Sequence, residues 1–128
     1  MASGDLKSED CKVITVTAGA TTVIGDFVHM ESDGKWDPVT TGDTGKFAVA
    51  LDAAVDTGTM RICIWGPVEV KATAAAIAKG AYVIAGTTGF VVDAGSIIET
   101  TVYGTIMGTA MTAFASSGQG IVWVGLVG

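Results

Sequence analysis

Acid–base chemistry near neutral pH calls first on histidine, and this chain has one, His29. Nucleophilic catalysis would need that imidazole beside a hydroxyl or thiol, with a third group to orient it. Ser96 and the pair Ser116-Ser117 lack the flanking glycines of a nucleophile elbow. His29 falls in a strand-type run beside Met30, which predicts a surface or edge residue. Zinc binding needs spaced pairs of Cys and His, and one histidine with the distant Cys11 and Cys63 does not supply them. Asp33, Asp37 and Asp43 gather around Gly34 and Gly42, but without the alternating ligands and closing Glu of a calcium loop. Asp-Gly at a turn accounts for them. Gly86-Thr87-Thr88-Gly89 and Gly104-Thr105-Ile106-Met107-Gly108 lack the Gly-Lys-Ser/Thr ending and following helix of a phosphate loop. The expectation is a chain without enzymatic activity, metal or cofactor.

Composition limits the partners. The chain has 128 residues, enough for one domain with its own core. Only 16% of them are charged, against about 25% in an average domain. Hydrophobic residues reach 49% and glycine 18 copies, so part of the apolar surface is expected to be covered by another chain. The net charge is −6, and the seven basic residues (Lys7, Lys12, Lys35, Lys46, Arg61, Lys71, Lys79) stand singly. Nucleic-acid binding replaces counterions with clustered cations, so no nucleic-acid partner is expected. The longest apolar run, Gly120 to Gly128, is far below the roughly 18 residues of a membrane span, so no membrane partner is expected either. The first ten residues carry no hydrophobic signal core, which predicts synthesis in the cytoplasm. Two cysteines do not make a disulfide framework, and free thiols are the expectation.

The elements that would position any site are short and mostly of strand type. Residues 1 to 11 are polar and aperiodic and read as a flexible arm, leaving 12–128 as a single β domain. Lys12 to Thr17 is β-branched. Phe47, Val49 and Leu51 alternate with alanines, Met60, Ile62 and Ile64 with Arg61, Cys63 and Trp65, and Val68 and Val70 with Glu69 and Lys71. That period of two is the signature of strands with one buried face. A single short helix is predicted over 74–79, capped by Thr73 and ended by Gly80. Further strands follow over 81–85, 89–93, 102–110 and 120–127. The fold class expected is mainly β, a small antiparallel barrel or tulip-like sandwich with that one helix.

Two patterns bear on assembly. Gly25-Asp26-Phe27-Val28 is followed by Gly34, nine residues after its first glycine, and Gly80-Ala81-Tyr82-Val83 by Gly89 at the same offset. A duplicated hairpin building a pseudo-symmetric barrel would give this echo, and so would unrelated hairpins reusing glycine at their turns. Trp123, flanked by apolar residues in the last strand, is expected in the core. Trp36 and Trp65 lie near turns, where a large ring either anchors an interface or closes the end of a barrel.

Read in order, these segments resemble a tailed-phage family regarded as capsid cement, or head-decoration, proteins, some of them labelled recombinase-like. The resemblance runs from about Thr15 to Val127. It is carried by Gly25 to Val28, Phe47 to Ala54, Thr57 to Trp65, Gly66-Pro67-Val68-Glu69-Val70, Ala76 to Val83, Gly89-Phe90-Val91 and Tyr103 to Ala110. Gly80-Ala81 departs from the Gly-Asp often found there, and the recombinase label finds no ATP site. The resemblance implies a tulip-like β domain on the capsid exterior of a virion. The major capsid protein would be its partner, with self-association as a homotrimer. Candidate interface residues are Trp36, Trp65 and, within the arm, Leu6 and Cys11. A tail or fibre accessory domain and a small β-barrel ligand-binding module are the alternatives.

Overall fold

The alternating runs form nine β-strands in a computed structural model that describes residues 11–40, 46–71, 76–86, 89, 91–93 and 106–125. They are β1 (Lys12–Thr17), β2 (Phe27–Met30), β3 (Trp36–Pro38), β4 (Phe47–Ala50), β5 (Thr59–Lys71), β6 (Tyr82–Ala85), β7 (Val91–Asp93), β8 (Ile106–Ala110) and β9 (Gln119–Val124). All named pairings are antiparallel, in the order β3-β2-β4-β5-β9-β8-β6-β7 with β1 added on β5. The mainly β expectation holds.

The organising strand is β5. Its first half, up to Trp65, pairs with β1 and β4, and its second half, from Gly66, pairs with β9. Gly66 lies at the junction with φ +117°, and a Cβ there would sit 2.9 Å from the Cα of Cys11. Only glycine satisfies both the positive φ and that close approach.

This division exposes a duplication of the whole strand plan. In the N-terminal half β2 pairs with β3 and β4, β4 with β5, and β5 with β1. In the C-terminal half β6 pairs with β7 and β8, β8 with β9, and β9 with the second half of β5. Single hydrogen bonds repeat as well. The Gly25 N–H donates to the Ala50 carbonyl at 2.9 Å, and the Gly80 N–H to that of Ala110 at 2.8 Å. Leu51 donates to Arg61 as Met111 does to Ile121, and Gly58 to Val55 as Gly118 does to Ala115. The isolated bridges Thr22–Ala54 and Ile77–Phe114 occupy the same place in each half. The glycine echo of the sequence is therefore a structural one: Gly25 and Gly34 have φ +92° and +84°, Gly80 and Gly89 +86° and +77°. Thr57 and Ser117, the two non-glycine residues with positive φ among those described, also stand at matching turns.

Two apolar clusters follow from this plan. One belongs to the N-terminal half alone: Ala18, Val28, Trp36, Ala48, Ala50, Met60 and Ile62. A parallel bridge between Ala18 and Trp36, with the Gly19 N–H donating to the Trp36 carbonyl at 2.9 Å, returns the end of β1 to β3 and closes these strands around that cluster. The larger cluster joins the halves, with Phe27, Val49 and Cys63 against residues such as Val68, Val83, Val122 and Val124. The Phe27 N–H also donates to the Gly89 carbonyl, tying β2 to the turn after β6.

Two expectations are corrected. Of the helix predicted over 74–79, residues 74 and 75 lie outside those described, and Ile77 makes an antiparallel bridge with Phe114 instead. Ile77 is buried in the joint core, and that tertiary pairing overrides a two-turn alanine-rich propensity. Gly80 does take positive φ, but as part of a turn in which Ala81 donates to Ala78 at 3.1 Å. The cysteines are bonded to one another rather than free. Val13 pairs with Cys63, and the register shift between Lys12 and Val13 brings the Cys11 Cα within 6.2 Å of that of Cys63, inside the span a disulfide bridges.

Candidate interaction surface

Exposed apolar side chains gather where β5 changes halves. Trp65, the last residue before Gly66, is 42% exposed, and its ring meets Trp123 edge-on with centroids 5.0 Å apart and planes at 85°. That geometry places the positive edge of one indole on the negative face of the other. Gly125 makes room for it, since a Cβ there would lie 3.1 Å from Trp65 Cδ1 and 2.7 Å from the Ile64 carbonyl oxygen. From Trp123 the row continues across the sheet: Trp123 pairs with Pro67 on one side and Thr109 on the other, and Thr109 pairs with Tyr82. Tyr82 is exposed, as is Met111 just past β8. Among the described residues the patch has one exposed cation at its edge, Lys12 opposite Trp65, and one carboxylate, Glu69, buried on the same side of β5 as Pro67. Neither Glu69 Oε1 nor Trp123 Nε1 has a hydrogen-bond partner, so two polar atoms lie desolvated on this side of the sheet.

The duplication explains what this row is. Its counterpart in the N-terminal half is Val13–Cys63–Val49–Phe27, paired in the same register. There Cys63, Val49 and Phe27 are fully buried in the joint core. In the C-terminal half the equivalent positions carry Trp123, Thr109 and Tyr82, and Tyr82 is exposed.

The candidates named from sequence fall in different places. Trp65 is at the surface. Trp36 is 7% exposed and inside the closed N-terminal half, because the β2–β3 hairpin pairs Met30 with Trp36 and folds the ring onto Val28 and Ala48. Cys11 is buried and tied to Cys63, two residues before Trp65, and Leu6 lies outside the described residues. Trp123 is half-buried rather than core, because β9 turns Gly120, Val122 and Val124 inward and Trp123 to the opposite side. Sequence reasoning passed over Tyr82; its signal was the aromatic that follows the second glycine of the echo. His29, expected at the surface or an edge, is instead buried in β2 with Nε2 3.3 Å from Glu31 Oε1. Among the described residues no group of three His, Cys, Asp or Glu is placed to hold a metal ion. Nor is any helix among them long and apolar enough to cross a membrane.

The exposed charge pairs locally. Asp52 Oδ1 accepts from Arg61 Nη2 at 2.9 Å, and Oδ2 from Arg61 Nε at 3.0 Å and the Arg61 N–H at 2.9 Å. The side-chain bonds from Arg61, then its backbone N–H, hold the Asp52 pKa down at about 2. The matching place in the C-terminal half has a neutral version, Thr112 Oγ1 accepting from the Ile121 N–H at 3.1 Å.

No protein-family model matches the chain, and no curated protein matches it by sequence. Among solved structures it is similar to the head fibre gp8.5 N base of bacteriophage phi29, with a TM-score of 0.62 and 13% sequence identity, over 88% of this chain and 92% of that one. The two chains share a fold.

Proposed function

We propose that this chain is a structural protein of a phage virion, seated on the outer surface of the mature capsid and stabilising it as cement. Its contact in this reading is the face around Trp65, Trp123 and Tyr82, and the major capsid protein is its partner. The observation that carries the reading is the fold shared over 88% of the chain with the base of a phage head fibre. Supporting it, the face exposes Trp65 and Tyr82, aromatic types enriched at the cores of interfaces. Cement proteins bind many identical sites, so contacts of modest strength per copy add up across the shell. Catalysis has no part in this reading, in which the chain acts by binding alone. The base of a head fibre is the second reading, favoured by what the similar structure is.

Co-sedimentation of the purified protein with mature shells lacking it tests the proposal. Trp65→Ala and Trp123→Ala are each expected to weaken binding by about 30-fold, a hot-spot loss near 2 kcal/mol. If both variants keep their circular dichroism and bind like wild type, this face is not the contact. If the wild-type protein stays in the supernatant at every concentration, the capsid reading itself fails.

A further inference from the structure

The duplication gives every strand of one half a counterpart in the other, and one pair differs sharply in exposure. β1 and the second half of β5 are equivalent: each pairs with the last strand of its own half, Val13 with Cys63 as Pro67 with Trp123, and Ile14 with Ile62 as Val68 with Val122. Pro67, Val68 and Glu69 are all buried. Their counterparts Val13, Ile14 and Thr15 are all exposed, Val13 by 36% and Ile14 by 37%. Successive residues of a strand point to opposite faces, so β1 shows apolar side chains to water on both. Among the described residues only β5 pairs with β1 over Lys12–Thr17, the contact with β3 beginning at Ala18. Among the described residues the far edge of β1 has no partner strand, and from Val13 to Thr17 the strand is β-branched and free of Pro and charge, its one register shift and its lysine both lying at the Lys12 end.

We infer that β1 is an interface strand, covered by β1 of a second copy of this chain in an antiparallel pair about a twofold axis. The sequence of the strand favours this occupant. Pairing Lys12–Thr17 with itself sets Lys12 opposite Thr17, Val13 opposite Val16 and Ile14 opposite Thr15. Every central position then faces another β-branched residue, the cross-strand combination that stabilises a sheet. The single charge of each strand meets a hydroxyl, so two chains of net charge −6 bring no like charges together along the seam. A twofold contact of this kind uses the same patch on both copies. It adjoins the aromatic face at one end, where Lys12 pairs with Trp65, but it does not depend on capsid binding.

Sedimentation equilibrium of the full chain over a wide concentration range, with hydrogen exchange at both ends of it, tests the inference. The wild-type protein is expected to pass from a 12.9 kDa monomer to a dimer, with the alternate β1 amides that point away from β5 gaining protection as the dimer forms. Ile14→Lys and Val13→Lys, charges on opposite faces of β1, are each expected to raise the dimer dissociation constant at least about tenfold with tryptophan fluorescence unchanged. Should either variant misfold, the wild-type exchange data decide alone. A monomer at every concentration overturns the inference, as does a dimer or trimer in which β1 amides exchange as fast as in the dilute protein.

Discussion

Phe114 and Gly120 offer a direct energetic test of the duplication. Phe114 is buried and its ring fills the place where a Gly120 side chain would go: a Cβ there would lie 2.5 Å from Phe114 Cε1. In the N-terminal half the matching positions hold Ala54 and Met60, with Met60 fully buried in the cluster against which Ala54 packs. Large and small have changed places between the halves. Phe114→Ala alone leaves a cavity and should cost about 3–5 kcal/mol. Gly120→Met alone drives a side chain into the ring and should cost about 1–3 kcal/mol, the usual range for overpacking. Gly120 is outside the positive-φ glycines, so its backbone accepts a side chain without strain. Together the two substitutions recreate the Ala–Met arrangement of the other half, and the methionine occupies the space the ring vacates. The double variant should therefore lose about 2–3 kcal/mol less than the two single losses added, a coupling at the upper end for residues in contact. Urea unfolding followed by tryptophan fluorescence measures all four corners of the cycle. Additive losses would refute the reasoning, because they would mean that the two positions do not share one volume.

Two further predictions concern cross-links and charge. Removing the Cys11–Cys63 bond by Cys11→Ala with Cys63→Ala frees a loop spanning 52 residues, and by the chain-entropy relation should cost about 4 kcal/mol; mass measurement before and after reduction checks that the bond is present, by a gain of about two hydrogens. Asp52 has its folded pKa lowered from 3.8 to about 2, so its pairing with Arg61 stabilises the fold above pH 4 and that contribution is lost as pH falls from about 4 through about 2. The carboxylate is largely in water, so screening keeps the effect small and salt-sensitive, and Asp52→Asn should lower the neutral-pH urea midpoint slightly and remove this pH dependence within that window.

What could be read from the sequence was local. Alternation in Phe47–Ala50 and Thr59–Val70 announced strands, and Asp33-Gly34 a turn, because period two and turn chemistry are properties of a few adjacent residues. The duplication was legible only as the Gly25 and Gly80 echo. Positive φ preserves glycine at a turn, while core positions such as Met60 and Gly120 drift as long as their neighbours compensate. The disulfide was not legible, since what brings Cys11 to Cys63 is the register of β1 on β5. The two loop-proximal tryptophans shared one sequence description, yet Trp36 went inside and Trp65 outside. The difference lies in the closure of β1 onto β3, a long-range contact. Trp123 was assigned to the core because both its neighbours are apolar. A strand with apolar residues on each face carries no signal for which face is covered. The helix expected around Ile77 failed for the converse reason, a local propensity overruled by pairing with Phe114.

The most direct test of the virion reading is quantitative mass spectrometry of purified virions from the source of this chain, counting its copies against the major capsid subunit. A ratio near one copy per subunit is predicted for a cement that covers the shell, and a small fixed number per particle for a fibre base. Complete absence from the particles would contradict the account.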